Sequence, residues 1–176
     1  MTTSIPLDIA QLGAEVLRLT AMPVEDINAP ETQHIIALML ETISLSEGVG
    51  IAAPQLHISQ RIIVIASRPT KRYPYAPLMP ATVMINPCMT AHSEQQEKDW
   101  EGCLSIPGIR ALVPRYIDIE TTYTDLKGVP QSTRLTGFPA RVFQHEYDHL
   151  DGLVYLDRVT DSRDIISETE FFKRLT

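Results

Sequence analysis

Apolar and polar residues alternate along this chain with two periods, one typical of helices and one typical of strands. The helical period begins after Asn28, a candidate N-cap that is followed by Pro30 in the first turn. One apolar stripe runs through this segment and comprises Ile35, Ile36, Met39, Leu40 and Ile43. The stripe predicts a helix packed on the core, and residues 8–20 predict a turn or a short helix before it.

Strand patterns dominate the middle of the chain. Apolar runs predict strands at residues 61–66 and 82–86, and the polar residues 92–99 predict a solvated connection. Between residues 116 and 135, polar and apolar positions alternate on both sides of the turn sequence DLKG, which predicts a β-hairpin. Because the strands come in runs rather than alternating with helices, the pattern predicts an α+β fold with mainly antiparallel pairing.

A second helical pattern follows the hairpin and contains the sequence HEYDH. Gly137 opens this helix, and Gly152 is well placed to end it. At about 100° per residue, His145 and His149 project from the same side of the helix with Glu146 beside them. Two imidazoles one turn apart beside a carboxylate can hold a metal ion and move a proton. The same spacing also occurs by chance on ordinary helix surfaces, so a catalytic metal requires a third ligand from elsewhere.

Composition narrows the class of protein. Of the 176 residues, 44% are hydrophobic and 21% are charged, which predicts one globular domain over residues 1–176. The net charge of −7 argues against broad contact with nucleic acid or anionic lipid. The sequence has neither a signal-like segment nor a run of about 18 apolar residues, so we expect a soluble protein of the cytoplasm without a membrane span.

Two further segments carry candidate chemistry. Cys103, in the sequence WEGCLSIPG, can supply a thiolate ligand, although a lone cysteine in such a setting is more often buried and inert. Cys88 has no neighbours suited to metal binding, and we expect it to be structural. The residues of the sequence GVGIAAPQ are small up to the polar Gln55, so their backbone can approach another backbone or a ligand closely.

In this order, GVGIAAPQ, EGCLS and HEYDH closely resemble the three motifs of the peptide deformylases, GxGLAAxQ, EGCxS and HExDH, with Ile51 in place of the common leucine. Weaker similarity extends over most of the chain, from QLGAEVLRLTAMPV to HLDGLVYLDR. The resemblance implies an α+β fold in which antiparallel sheets surround a central metal-binding helix. It also implies a hydrolase of protein biosynthesis that removes the formyl group from the N-terminal formylmethionine of new polypeptides and releases formate.

The resemblance further implies a metal site. Its ligands are Cys103, His145 and His149, and its metal in cells is Fe(II), which Ni, Co or Zn can replace. Thiolate and imidazole ligands alone do not distinguish iron from zinc. The reaction would be metal-assisted hydrolysis of an amide, with Glu146 taking a proton from water and delivering it to the leaving nitrogen.

Other roles follow from the same resemblance. The Gln55 side chain and the Leu104 backbone N–H would stabilise negative charge on the formyl oxygen. Glu101 and Arg115 would form an ion pair that supports the cysteine loop. The substrate-binding residues would be Val49, Gly50, Arg110, Phe138 and Val142, with the backbone of Gly50 pairing with the peptide as an added strand.

Two alternatives remain open at this stage. The histidine helix would serve a metalloprotease equally well, but such enzymes usually take a third ligand from a downstream His or Glu, and no histidine follows His149. A non-catalytic metal or peptide-binding module would leave Glu146 without a role.

From Asp157 onward, five acidic residues accompany four basic ones, so we expect at most a weak association with the ribosome. We expect a monomer that acts on N-formylmethionyl nascent peptides.

Overall fold

Two antiparallel sheets and a central helix build the fold, as seen in a computed structural model that describes residues 8–46, 48–70 and 73–174. The strands are β1 (Gly50–Ala52), β2 (Ile62–Ser67), β3 (Met79–His92), β4 (Gln96–Cys103), β5 (Ile106–Tyr116), β6 (Asp118–Thr124), β7 (Pro130–Thr136) and β8 (Ile165–Ser167). The helices are α1 (Pro30–Leu45), α2 (Gly137–Leu150) and α3 (Glu168–Lys173), and single 3₁₀ turns occur at Glu15–Arg18, Ala53–Leu56, Tyr155–Arg158 and Ser162–Asp164.

The larger sheet has the strand order β1-β2-β3-β6-β7, and every pair in it is antiparallel. Its strand β2 is buried over its whole length because both faces of the sheet are covered. On one face Ile63 and Ile65 pack with α2, and on the other Ile62 and Val64 pack with α1. The apolar run that predicted this strand therefore reflects burial on two sides.

The smaller sheet has the order β4-β5-β8, and its β4–β5 hairpin brings Cys103 towards α2. Helix α2 contacts β1 and β2 of the larger sheet and β5 of the smaller one, so it lies between the two sheets. Its residues Ala140, Phe143 and Leu150 are fully buried. The predicted α+β fold with antiparallel sheets around a central helix is confirmed.

Several local predictions are also confirmed. The segment after Asn28 forms α1, and residues 8–20 contain one short 3₁₀ turn. The predicted hairpin is β6–β7, and its turn is closed by a hydrogen bond from the Gly128 N–H to the Asp125 carbonyl, with Gly128 at φ 77°. None of the helices in the described part of the chain has the length and apolar character that a membrane crossing requires.

Two local predictions are wrong. Ala29 rather than Asn28 occupies the N-cap of α1, and the side chain of Ala29 makes no capping hydrogen bond. Residues 92–99 are not a solvated connection, because β3 extends to His92 and β4 begins at Gln96. The first four residues of β4 are exposed, so the strand forms through backbone pairing with β5 rather than through burial of alternate side chains.

Candidate metal centre

Cys103, His145 and His149 converge between α2 and the end of β4. Their donor atoms all lie within 4.8 Å of one another, and the three residues are buried. The Cys103 Sγ lies 3.4 Å from the His149 Nε2, and the two imidazole rings have centroids 5.4 Å apart. Donors that each approach one ion to about 2.0–2.3 Å in a tetrahedral arrangement are roughly 3.3–3.8 Å apart, and the 3.4 Å between the Cys103 Sγ and the His149 Nε2 agrees with this. One turn of helix and the tip of one hairpin thus supply three ligands.

The charges of these side chains suit a cation. Burial raises the pKa of the Cys103 thiol. The charges and hydrogen bonds of His149 and His145 lower this pKa by a larger amount, so it lies well below its usual value. Burial lowers the pKa of His145, while hydrogen bonds to Cys103 and Glu101 raise it well above its usual value. The low pKa of Cys103 favours its thiolate, which is the form that binds a metal. A thiolate with two imidazoles fits a divalent transition metal, and three protein ligands leave a position for water or substrate.

Glu101 fixes the orientation of the His145 ring through the ring nitrogen Nδ1. Its Oε2 lies 2.8 Å from the His145 Nδ1, which leaves the Nε2 of that ring directed towards the other ligands. Arg115 donates to both carboxylate oxygens of Glu101, at 2.9 and 3.0 Å, and the two side chains are each 4% exposed. Burial raises the pKa of Glu101, but the charge of Arg115 and the hydrogen bonds outweigh burial and lower it. The predicted ion pair of Glu101 with Arg115 is confirmed.

Arg141 belongs to the same network, and sequence reasoning missed it. It precedes His145 by one turn of α2 and donates to the Glu101 Oε1 at 2.9 Å. It also donates to the carbonyl oxygens of Val113 and Glu97, both at 2.7 Å. These contacts join the metal-binding helix to both strands of the hairpin that carries Cys103. The sequence signal for this role was weak, because Arg141 differs from an exposed helix arginine only in lying on the face that the fold buries.

Gln55 points its amide nitrogen at the metal centre. Its Oε1 accepts a hydrogen bond from the Ala52 N–H at 2.9 Å, which fixes the orientation of the amide. Its Nε2 therefore faces the Cys103 Sγ at 3.3 Å and the Ser105 Oγ at 3.3 Å. Small residues let this segment pass close to α2, since a Cβ at Gly50 would lie 2.3 Å from the Glu146 Oε1.

Glu146 is a buried carboxylate with unusual proton affinity. It is 4% exposed, and its Oε2 has no hydrogen-bond partner within the described residues. Burial raises its pKa to about 7, although the charges of His145 and His149 lower it in part. A carboxyl group whose pKa is close to neutral can both accept and return a proton during a reaction.

A cleft of about 530 Å³, counting space open to solvent, leads to these groups. Most of the sequence-predicted residues line it, namely Val49, Gly50, Gln55, Cys103, Leu104, Phe138, Val142, His145 and Glu146. Arg110 does not line it, because its side chain is 1% exposed and lies behind Gly102. Tyr73 does line it, and sequence reasoning missed this residue because a tyrosine in a proline-rich segment carries no periodic signal.

Comparison with known proteins agrees with this geometry. The family model described as "Polypeptide deformylase" matches residues 6–164. Peptide deformylase 2 of Nostoc sp. is 48% identical over 170 residues, which cover 97% of this chain and 95% of that protein. Peptide deformylase 1 of Nitrosomonas europaea is 41% identical over 155 residues, which cover 88% of each chain.

Solved structures show the same similarity. The class I type b peptide deformylase of Acinetobacter baumannii with bound Met-Ala-Ser superposes with a TM-score of 0.85 at 42% identity, over 89% of this chain and 99% of that one. A peptide deformylase of Synechococcus elongatus in complex with actinonin gives a TM-score of 0.79 at 38% identity, over 90% and 81% of the two chains. The sequence match and the shared architecture together place this chain in the peptide deformylase family.

Proposed function

We propose that this chain uses the cleft at the metal centre to remove the formyl group from the N-terminal formylmethionine of new polypeptides. The observation that carries the proposal is the meeting of three groups in one cleft. A thiolate and imidazole donor set, a carboxylate oxygen without a hydrogen-bond partner among the described residues and an amide N–H directed inwards lie side by side there. Amide hydrolysis needs a Lewis acid, a proton carrier and a donor to the carbonyl oxygen, and these groups can supply all three.

Cys103, His145 and His149 would hold the metal, which we propose to be Fe(II), with Zn, Ni or Co able to take its place. When bound, a divalent metal acidifies water and polarises the carbonyl group of the substrate. The donor set supports a transition metal but does not choose among these ions, because thiolate and imidazole suit several of them.

Glu146 is the proposed proton carrier. Its carboxylate accepts a proton from the attacking water, whose oxygen forms a bond to the formyl carbon. As the bond between that carbon and the methionine nitrogen breaks, Glu146 delivers the proton to the nitrogen, so that formate and an amine leave. The pKa of Glu146 near 7 supports this role, because the group then gains and loses a proton with little cost.

Gln55 and Leu104 would stabilise the formyl oxygen as negative charge develops on it. The Gln55 Nε2 is held in the cleft by the hydrogen bond that its own carbonyl accepts from Ala52. The backbone N–H of Leu104 follows the ligand Cys103 directly in the chain. Donors that are fixed before the reaction begins stabilise such charge most effectively.

The rest of the substrate would lie along β1 and α2. We propose that Val49, Phe138 and Val142, which all line the cleft, border the methionine side chain. Strand β1 is at the edge of its sheet, so the backbone of Gly50 can pair with an extended peptide. Contact of Arg110 with the peptide stays a prediction of the resemblance, which the burial of this side chain does not support.

The cellular setting is part of the proposal. A single catalytic domain over residues 1–176 would act as a monomer in the cytoplasm on nascent peptides. The net charge of −7 supports at most a weak association with ribosomal RNA.

Formate release from a formyl-Met peptide, measured without oxygen and with metal content determined on the same sample, tests the function. We expect formate in proportion to bound metal, and no reaction with the acetylated Met-peptide. Internal cleavage of the peptides without formate would instead indicate the metalloprotease alternative and refute the proposal.

A further inference from the structure

Arg110 is a charged side chain held in the interior of the protein, where it is only 1% exposed. Its Nε and Nη2 donate to the Glu168 Oε1 at 3.2 and 2.9 Å, and its Nη1 donates to the Tyr73 hydroxyl oxygen at 3.1 Å. The guanidinium carbon lies 5.2 Å from the centre of the Phe171 ring. Gly102 leaves the room for it, since a Cβ there would lie 2.6 Å from that carbon.

Tyr73 connects this buried charge to the cleft. Its ring lines the cleft together with Phe138, and the two ring centroids are 4.9 Å apart. Tyr73 lies between β2 and β3, whereas Glu168 is the first residue of α3. A continuous set of contacts therefore runs from the C-terminal helix, through Arg110 and Tyr73, to the apolar wall of the cleft.

We propose that Glu168 and Arg110 are positioning residues for the substrate, because they fix Tyr73 as the aromatic wall of the pocket that receives the methionine side chain. The inference rests on the proposed function, since it assigns a role in the same cleft. A buried guanidinium must keep its charged partner, so Glu168 determines where Arg110 lies. Arg110 in turn holds the Tyr73 hydroxyl through a charge-assisted hydrogen bond. The ring is thus ordered before substrate arrives, which lowers the entropy lost on binding.

This role predicts a separation between binding and chemistry. Three hydrogen bonds join Glu168, Arg110 and Tyr73 to one another, and within the part of the chain that the structure describes these three bonds involve neither a metal ligand nor Glu146. Loosening Tyr73 should therefore weaken binding of the substrate and of its transition state equally. Such a loss raises KM and leaves kcat unchanged.

Steady-state kinetics of the metal-loaded full-length protein test the inference with Tyr73→Phe, Glu168→Gln and the double variant. Loss of the Tyr73 hydroxyl should raise KM for a formyl-Met tripeptide about three- to tenfold, as expected for one hydrogen bond, with kcat within about twofold. Glu168→Gln should change KM in the same direction. In the double variant the effects should not add, because Glu168 acts through the hydroxyl that is already missing.

Two controls sharpen this experiment. Glu170→Gln alters a carboxylate on the same helix that pairs with Lys173 at the surface, and it should leave KM unchanged. A formyl-Ala tripeptide presents a side chain too short to reach the Tyr73 wall, so its KM should respond little to either variant.

Unchanged KM in Tyr73→Phe, a fall in kcat without a rise in KM, or fully additive effects would each overturn the inference. Tyr73→Phe keeps the ring and its packing, so it remains decisive even if Glu168→Gln does not fold. Absence of formate release by the wild-type protein would refute the proposed function, which is a different outcome from wild-type activity with unresponsive variants.

Discussion

Replacement of Glu146 with Gln should stabilise the metal-free protein above neutral pH while it removes the activity. Burial raises the pKa of this carboxyl from 4.5 to about 7. At about 1.4 kcal/mol for each tenfold change in proton affinity, ionisation in the folded chain costs roughly 3 kcal/mol more than in the unfolded chain. Because the folded-state pKa is raised, the folded protein binds the proton more tightly. The penalty is therefore absent below about pH 4.5, grows between pH 4.5 and 7, and is complete above pH 7.

Denaturant unfolding of the metal-free wild-type protein and of Glu146→Gln at pH 5 and pH 8 measures this penalty. The two free energies of unfolding should be similar at pH 5, and the variant should be more stable by up to roughly 3 kcal/mol at pH 8. Metal loading should reduce the difference, because a cation beside the carboxylate favours its charged form. Turnover of the loaded variant should fall by at least about two orders of magnitude.

Glu41→Gln, at an exposed position of α1, is the matched control and should show no pH-dependent gain in stability. A Glu146→Gln protein that is no more stable than wild type at pH 8 would refute the claim that the buried carboxylate destabilises the fold. Unchanged turnover would remove Glu146 from the mechanism altogether.

Three further substitutions test the site. Cys103→Ala should lose the metal during dialysis whereas Cys88→Ala should keep it, and full occupancy of the first variant by elemental analysis would refute its ligand role. Gly50→Ala places a methyl group 2.3 Å from the Glu146 Oε1, so kcat should fall about a hundredfold with metal retained; wild-type kcat would contradict the packing argument. Arg141→Met removes three hydrogen bonds in the interior and should lower the free energy of unfolding by about 3 kcal/mol, with Arg141→Lys losing less. An unfolding curve that matches wild type would show that Arg141 does not join the helix to the hairpin.

The parts of the fold that local patterns determine could be predicted from the sequence. Helix α2 follows from a helical period of apolar residues with a glycine at each end, and the β6–β7 hairpin follows from an alternating pattern with a glycine in its turn. The pair of histidines follows in the same way, because their spacing is local to one helix. The link to Cys103 does not follow from any period, since it lies 46 residues from His149, and only the family motifs indicated it.

What the sequence did not predict depends on contacts between distant segments. The exposed start of β4 has no apolar alternation, and it is a strand only because β5 lies beside it. Arg141 and Tyr73 acquire their roles from partners elsewhere in the chain, Glu101 and Arg110. Arg110 also has partners in distant segments, Glu168 and Tyr73, which no local pattern indicated, and its contact with the peptide stays a prediction.

The position of the three ligands also has a consequence for the lifetime of the protein. A metal held by Cys103 and His149, which are 46 positions apart, would bind the folded chain but not the unfolded one, so its binding free energy would add to the free energy of unfolding. Oxidation of the Cys103 sulfur would then remove this stabilisation as well as stop catalysis. Exposure to oxidants would thereby shorten the time for which each molecule resists unfolding and proteolysis.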